Sequence, residues 1–330
     1  MSHSSRPTHL LALVLVVATA LLSLHAEQPP AAQPPRIPGA EPIAVTASPE
    51  DVRRVVGAVR AGRRLTPRPW PNGARVAVAL SFDVDNELLS RNTPLPVPLS
   101  QGQYGATTGL PRILAMLDRH DVPATFFVPA MSAMLDTEMI PSILKSKRHE
   151  IGVHGWIHEN LPALGDAALE QRLLTQSIDY LTKVTGKRPV GYRAPSWAFS
   201  PHTLSQVLEA GFLYDSSFMA MDEPYELVQH GKPTGLIEIP IEWILDDYPY
   251  FGPNASGAIP SPAAVYEIYK AEFDAAYEDG TILVLTTHPH VIGHRSRSAQ
   301  LDKLIAYMKA KPGVWFATHE QVALAIKAQR

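Results

Sequence analysis

The chain has 330 residues, 45% of them hydrophobic and 18% charged, and a formal net charge of −3. That length supports one large core or two small ones, and the near-neutral balance, with no dense Lys/Arg run, leaves no footprint for nucleic acid. Cysteine is absent, which excludes thiolate metal sites, cysteine nucleophiles and disulfides, so any metal must be held by His, Asp or Glu.

Met1–His9 is polar with one Arg, Leu10–Leu24 is an apolar or small run, and Leu24-His25-Ala26 offers a small-residue cleavage site. The pattern predicts a signal peptide over residues 1–26 and hence an exported protein, periplasmic or secreted. The run is shorter than the roughly 20 residues of a membrane span, so an uncleaved N-terminal segment is the one route to a membrane anchor. Residues 27–70 are a Pro/Ala-rich spacer and lead-in, with a short helix over Val52, Val55, Val56 and Val59 after Ser48-Pro49-Glu50-Asp51, and order is expected from near Trp70. The domain proper is expected at 71–330.

Val76–Phe82 reads as a buried strand, followed by helical spacing at Leu110, Ile113, Leu114 and Leu117. Ala124–Val128 is a second strand, Ile143-Leu144 fits a helix and Glu150–Val153 is a third strand. Leu169, Leu173, Leu174, Ile178 and Leu181 form a helical stripe stopped at Gly186. Val190-Gly191-Tyr192 is a strand, Leu204, Val207 and Leu208 belong to a helix, and Ile237–Ile241 is a strand. Val265–Phe273 is helical, Thr281–Thr286 a strand, Leu301–Met308 helical and Val314–Ala317 a last strand. This alternation over about 250 residues predicts an α/β fold, a closed or nearly closed parallel barrel, with an open doubly wound sheet as the alternative.

Polar residues collect where these strands end. Asp83 and Asp85 follow the first, His154 and His158 the third, Arg193 the strand at Tyr192, Asp215 the pair Leu213-Tyr214, and His288 the strand Thr281–Thr287. In barrels that edge carries the active site. Asp83 and Asp85, two apart, point to one side of the sheet, and such close carboxylates conflict unless a cation separates them. His154 and His158, four apart, share a side if they sit on a helical turn. With Asp85 they make a two-His, one-carboxylate set that suits Zn²⁺ and equally non-haem Fe(II). Trp156, Trp197, Trp243, Tyr248 and Tyr250 lie in or near these loops and could stack on sugar rings.

In five ordered motifs the chain from about Arg75 to Ala323 resembles the NodB-type polysaccharide deacetylases, carbohydrate esterase family 4. The motifs are Ser81–Asp85, His154–His158, Arg193-Ala194-Pro195, Tyr214-Asp215-Ser216-Ser217 and Leu285–Pro289. Asp246–Phe251 and Pro312–Ala317 resemble one branch of it, which holds peptidoglycan deacetylases and relatives acting on cyclic ureides or imides. The resemblance implies a distorted (β/α)₇ barrel, Asp83 as catalytic base, and Asp85, His154 and His158 as ligands of a divalent metal, zinc foremost with Co²⁺, Mn²⁺ or Fe²⁺ as alternatives. It implies that Arg193 holds Asp83, that His288 is the general acid and that Asp215 orients His288. Trp156, Pro195, Trp197, Tyr104 and Trp243 are the candidate substrate contacts. The implied activity is removal of N-acetyl groups from a polysaccharide, most simply peptidoglycan; O-acetyl esters, a cyclic ureide, and a silent carbohydrate-binding relative are the alternatives, and oligomers are open.

Two positions depart from the common pattern: Gly155 and Glu159 stand where Ser or Thr and Pro are usual, so a hydroxyl bracing the ligand loop is missing and Glu159 is the candidate replacement. Residues 86–108, rich in Pro and Gly, are expected to form a loop facing the substrate as a lid.

Overall fold

Along Val76–Asp83 alternate side chains face opposite ways and every one is buried, the signature of a strand covered on both faces. In the computed structural model, which describes Met1, residues 43–252 and residues 257–329, that strand is β2 of a sheet whose other members are β1 (Val59–Arg64), β3 (Thr125–Val128), β4 (Glu150–Val153), β5 (Gly191–Tyr192), β6 (Tyr214–Asp215), β7 (Tyr225–Gln229), β8 (Lys232–Glu238), β9 (Ile282–Thr287) and β10 (Val314–Phe316). β2, β3, β4, β5, β6 and β8 pair in that order, all parallel, and β9 pairs with the far side of β2. Beyond β8 the chain meets β9 in the parallel bridge Asp246–Thr286, so the sheet curls into a ring whose seam is held by that narrow contact. This is the expected α/β architecture of a distorted (β/α)₇ barrel.

Val76, Val78, Leu80 and Phe82 point outward into a cluster with Leu110, Ile113 and Leu304 of the surrounding helices. Ala77 and Ala79 point inward with Phe127, Tyr214, Ile237 and Val284. Small inward side chains on β2 leave room inside the ring. At the amino-terminal pole the helix His319–Lys327 inserts Val322, Ala323 and Ile326 into this inner cluster. The helices end where local chemistry stops them. Asp166 caps Ala167–Thr185 by accepting from the N–H groups of Ala168 and Leu169, and Gly186 closes it at φ +72°.

Two expectations change. Order begins ahead of Trp70: Ser48 caps the helix Pro49–Val56, and β1 pairs antiparallel with β7, which pairs antiparallel with β8. Residues 86–108 are not an unstructured loop. They form a 3₁₀ turn, Asn86–Ser90, then a helix, Pro96–Tyr104, that runs into a π-helical turn at Gly105–Gly109. The segment is clamped: a Cβ on Gly109 would lie 2.1 Å from the Pro289 carbonyl oxygen, so only glycine permits this approach. The segment expected as signal peptide, apart from Met1, and residues 27–42 lie outside the described residues. No helix among the described residues is long and apolar enough to cross a membrane.

Candidate active site and metal centre

The inward face of β2 continues from Ser81 to Asp83, and both meet Arg193 at the end of β5. Arg193 is fully buried and donates to Asp83 Oδ1 at 2.7 Å, to Ser81 Oγ at 3.0 Å, and to the carbonyl and hydroxyl of Ser216 at 3.0 and 2.9 Å. Its guanidinium also lies 4.0 Å from the centre of the Phe127 ring. A buried charge satisfied on this scale is fixed in place. Burial pushes Asp83 up, but Arg193 and then His154 and His288 more than offset it, so its carboxyl stays below the usual range and is ionised at neutral pH.

Asp85 is the opposite case. Both its oxygens are buried and neither has a hydrogen-bond partner among the described residues, an arrangement native proteins avoid unless something else binds there. Nε2 of His154 lies 3.5 Å from Oδ1 of Asp85, and Nε2 of His158 lies 3.6 Å from Oδ2. These three residues each offer a ligand atom, all within 4.8 Å of one another. Nδ1 of His154 is 2.8 Å from the Arg193 carbonyl, which can only accept, so Nδ1 carries the proton and Nε2 presents its lone pair. Burial holds His154 below its ordinary pKa and takes His158 down to about 4, so both imidazoles are neutral. Two neutral imidazoles around an orphaned carboxylate fit a divalent cation.

His154 and His158 do not sit on a helical turn as their spacing suggested. The chain leaves β4 through Gly155 at φ +75° and reaches His158 at φ +52°, and these two left-handed residues fold the loop so that the rings lie 5.2 Å apart. Glu159 braces it, accepting from the N–H of Ile157 at 2.8 Å and of Trp156 at 3.0 Å. A Cβ on Gly155 would meet Pro195 at 2.7 Å and the Glu159 carboxylate at 3.0 Å. Gly155 and Glu159 are therefore one device: the carboxylate does the bracing that a hydroxyl would do, and it needs the glycine to fit.

Asp215 does not orient His288. Its carboxylate accepts from the N–H and hydroxyl of Ser217 at 3.1 and 3.0 Å, beside Glu238, and burial raises its pKa to about 6. The partner of His288 is Asp247, whose oxygens lie 2.7 Å from Nδ1 and 3.1 Å from the backbone nitrogen, with Asp246 at 3.5 Å from Nδ1. Burial disfavours the imidazolium, but these carboxylates prevail, and the His288 pKa stands well above its ordinary value. Its Nε2 points back to Asp85, at 3.8 Å. Burial raises Asp246 to about 7, so its carboxyl is only partly ionised near neutral pH. Asp246 and Asp247 were visible in the sequence only as part of a branch resemblance; two adjacent acids inside an aromatic stretch were the available signal. His290 is fully buried beside His288, and neither ring nitrogen has a hydrogen-bond partner among the described residues.

Asp83, Asp85, His154, His158 and His288 form the floor of an open cleft of about 1000 Å³ including its mouth. Its upper walls include Trp197, Trp243, Tyr248 and Arg91. Trp197 and Trp243 pack with ring centres 4.2 Å apart and planes tilted by 41°, and Ser196 and Trp197 both hold positive φ, 53° and 55°, which fixes this rim at some strain. The other expected contacts fall elsewhere. Trp156 packs on the hydrophobic core, Pro195 is buried against the Gly155 turn, and Tyr104 stacks on His294 at 4.0 Å with its hydroxyl 3.2 Å from the Gly293 carbonyl.

A parallel barrel with an ionised base, a protonated imidazole and an empty-handed carboxylate between two histidines at its carboxyl edge defines a hydrolase with a candidate metal centre. Comparison with known proteins agrees. Residues 75–214 match the polysaccharide deacetylase family model. The chain is 31% identical over 257 residues to the peptidoglycan deacetylase of Helicobacter pylori, covering 69% of this chain and 87% of that one. It superposes on the crystal structure of a protein assigned to the polysaccharide deacetylases, from Mycobacterium smegmatis, with TM-score 0.74, 39% identity, and 82% and 96% of the two chains covered. It also superposes on an allantoinase with TM-score 0.71 and 26% identity, covering 82% and 95%. The chain belongs to the polysaccharide deacetylase family and is a hydrolase of that class.

Proposed function

We propose that this protein is an exported, metal-dependent deacetylase that removes N-acetyl groups from an N-acetylglucosamine-containing polymer, peptidoglycan foremost. The observation that carries the reading is Asp85: a buried carboxylate with no hydrogen-bond partner, between two neutral imidazoles, beneath an open cleft rimmed by tryptophans. Asp85, His154 and His158 would hold the cation, zinc by the chemistry of the set. When bound, such an ion supplies Lewis acidity, stabilising charge on the acyl oxygen and acidifying a water. Asp83, kept ionised by Arg193, takes the proton from the attacking water. His288, kept protonated by Asp247 and Asp246, gives a proton to the departing amide nitrogen, whose bond to the acyl carbon breaks. Water and the acetamide thus become acetate and an amino sugar. Trp243, exposed at the rim, and the half-buried Trp197 beside it suit contact with a sugar chain, and the apolar run Leu10–Leu24 supports a site of action outside the cytoplasm, where the wall polymer lies.

The likeness to an allantoinase favours one second reading, the same proton chemistry applied to a small cyclic amide. A substrate panel separates the two. Purified residues 27–330 are given acetylated peptidoglycan, chitin oligomers and a cyclic ureide, and acetate release and ring opening are followed together. Acetate from the polymers is the expected result. Ring opening of the ureide without acetate from any polymer would replace the proposal with the second reading.

A further inference from the structure

Directly after Asp85 the chain makes its 3₁₀ turn, and Leu89, Arg91 and Asn92 emerge as one wall of the cleft. Arg91 is the only guanidinium or ammonium group among the described residues lining that cleft. It is half-buried, and among the described residues no carboxylate forms an ion pair with it, whereas Arg193 and Arg63 each have one. Its side chain is nevertheless oriented. Nε donates to the His158 carbonyl at 2.8 Å and Nη1 to Oδ1 of Asn92 at 2.8 Å. A guanidinium has five N–H donors in a planar fork matched to a carboxylate. Two anchored donors hold the fork in position beside the ligand loop, and the rest of it meets the cleft.

Resting on the deacetylase reading, we propose that Arg91, with Asn92, is a carboxylate-binding subsite, and that the substrate is an acetylated glycan carrying an acidic substituent on a sugar next to the one deacetylated. The chemistry asked for is a carboxylate attached directly to the sugar, as in a lactyl ether of an amino sugar; a neutral chitin-like chain lacks it. The anchored fork makes two charge-assisted hydrogen bonds to such a group at little further loss of side-chain freedom. Because this contact is remote from the scissile amide and uniform through the reaction, it acts on KM more than on kcat.

The test compares kcat/KM for acetate release from three glycans of equal length: wall glycan stripped of peptide so that its lactyl carboxylates are free, the same glycan with peptides attached, and chitin oligomers. Each is measured with the unmodified protein, Arg91→Gln and Arg91→Lys. The expected result is a preference of about tenfold or more for the stripped glycan over chitin, carried mainly by KM, a ratio near one in Arg91→Gln and an intermediate ratio in Arg91→Lys. An unmodified protein without preference would overturn the inference, as would a ratio that survives Arg91→Gln while both rates fall together, since Arg91 would then only prop the His158 loop. An Arg91-dependent preference confined to the peptide-bearing glycan would move the carboxylate to the peptide and overturn the assignment to the sugar. Acetate from all three without selectivity removes this inference and leaves the deacetylase reading standing; no acetate from any removes that reading itself.

Discussion

Asp247 and Glu159 act through other residues, and each makes a measurable difference. The Asp247 carboxylate is bonded to Nδ1 of His288 at 2.7 Å and, with Asp246, holds that imidazole protonated. On the proposed mechanism activity requires Asp83 ionised and His288 charged, so the expected profile of kcat/KM against pH is a bell whose alkaline limb is the loss of the His288 proton. Asp247→Asn removes a group that raises the His288 pKa; the pKa falls, and the alkaline limb is expected to move to lower pH while the acid limb stays. A limb that does not move would detach Asp247 from His288. Glu159→Gln leaves the ligands untouched but weakens the brace on the N–H groups of Trp156 and Ile157. Zinc affinity measured by competition with a chelating dye is expected to fall about tenfold, the low end of what supporting groups around a metal contribute. At this scale the residues that the fold brings together, Asp83, Asp85, His154, His158, Arg193 and His288, were legible in the sequence, because each follows an apolar strand. The sequence did not disclose how they are held. The family resemblance made Asp215 the partner of His288, yet its carboxylate bonds to Ser217, and the partner comes from a chain segment that closes the barrel seam.

At the scale of elements, the segment after β2 is the place where pattern reading and structure part. Pro94, Pro96, Pro98, Gly102 and Gly105 predict a loop when proline and glycine are read as breakers. Pro96 instead sits in the first turn of its helix, where its missing N–H costs nothing, and the glycines mark close crossings: Gly102 against Asn86, Gly109 against Pro289. Of this segment Leu89, Arg91 and Asn92 line the cleft, and the helix behind them packs on the Asn86 turn and the Pro289 segment. Gly109→Ala puts a methyl 2.1 Å from a backbone oxygen next to His288. It is expected to lower stability by about 1–3 kcal/mol in urea unfolding, the usual cost of overpacking. Unchanged stability would mean the crossing is loose. The hairpin partner β1 was also missed, since Val-Arg-Ala-Gly-Arg-Arg carries a central glycine and three arginines and shows no apolar alternation. Its place is set by pairing with β7 and by the Arg63–Glu226 ion pair, which are long-range facts. Helices with clear stripes, such as Ala167–Thr185, were legible because one face packs on the barrel.

For the molecule as a whole, seven parallel strands, β2 to β6 with β8 and β9, bring every reactive group to one edge of one ring. The parallel architecture was readable from the strand–helix alternation, whereas the seam at Asp246 and Thr286, a single bridge, leaves no periodic trace. The ring places the ionised base, the protonated acid and the three candidate ligands at the floor of the cleft, and the central claim is that these act together as a metal-dependent amidase. The most direct measurement is acetate release from peptidoglycan by protein stripped with chelator, before and after zinc is returned, in the unmodified protein and in Asp83→Asn. Release is expected to stop on chelation, to return with zinc, and not to return in Asp83→Asn, which still binds zinc. Release that persists in fully stripped protein, or that zinc restores equally in Asp83→Asn, would contradict that claim.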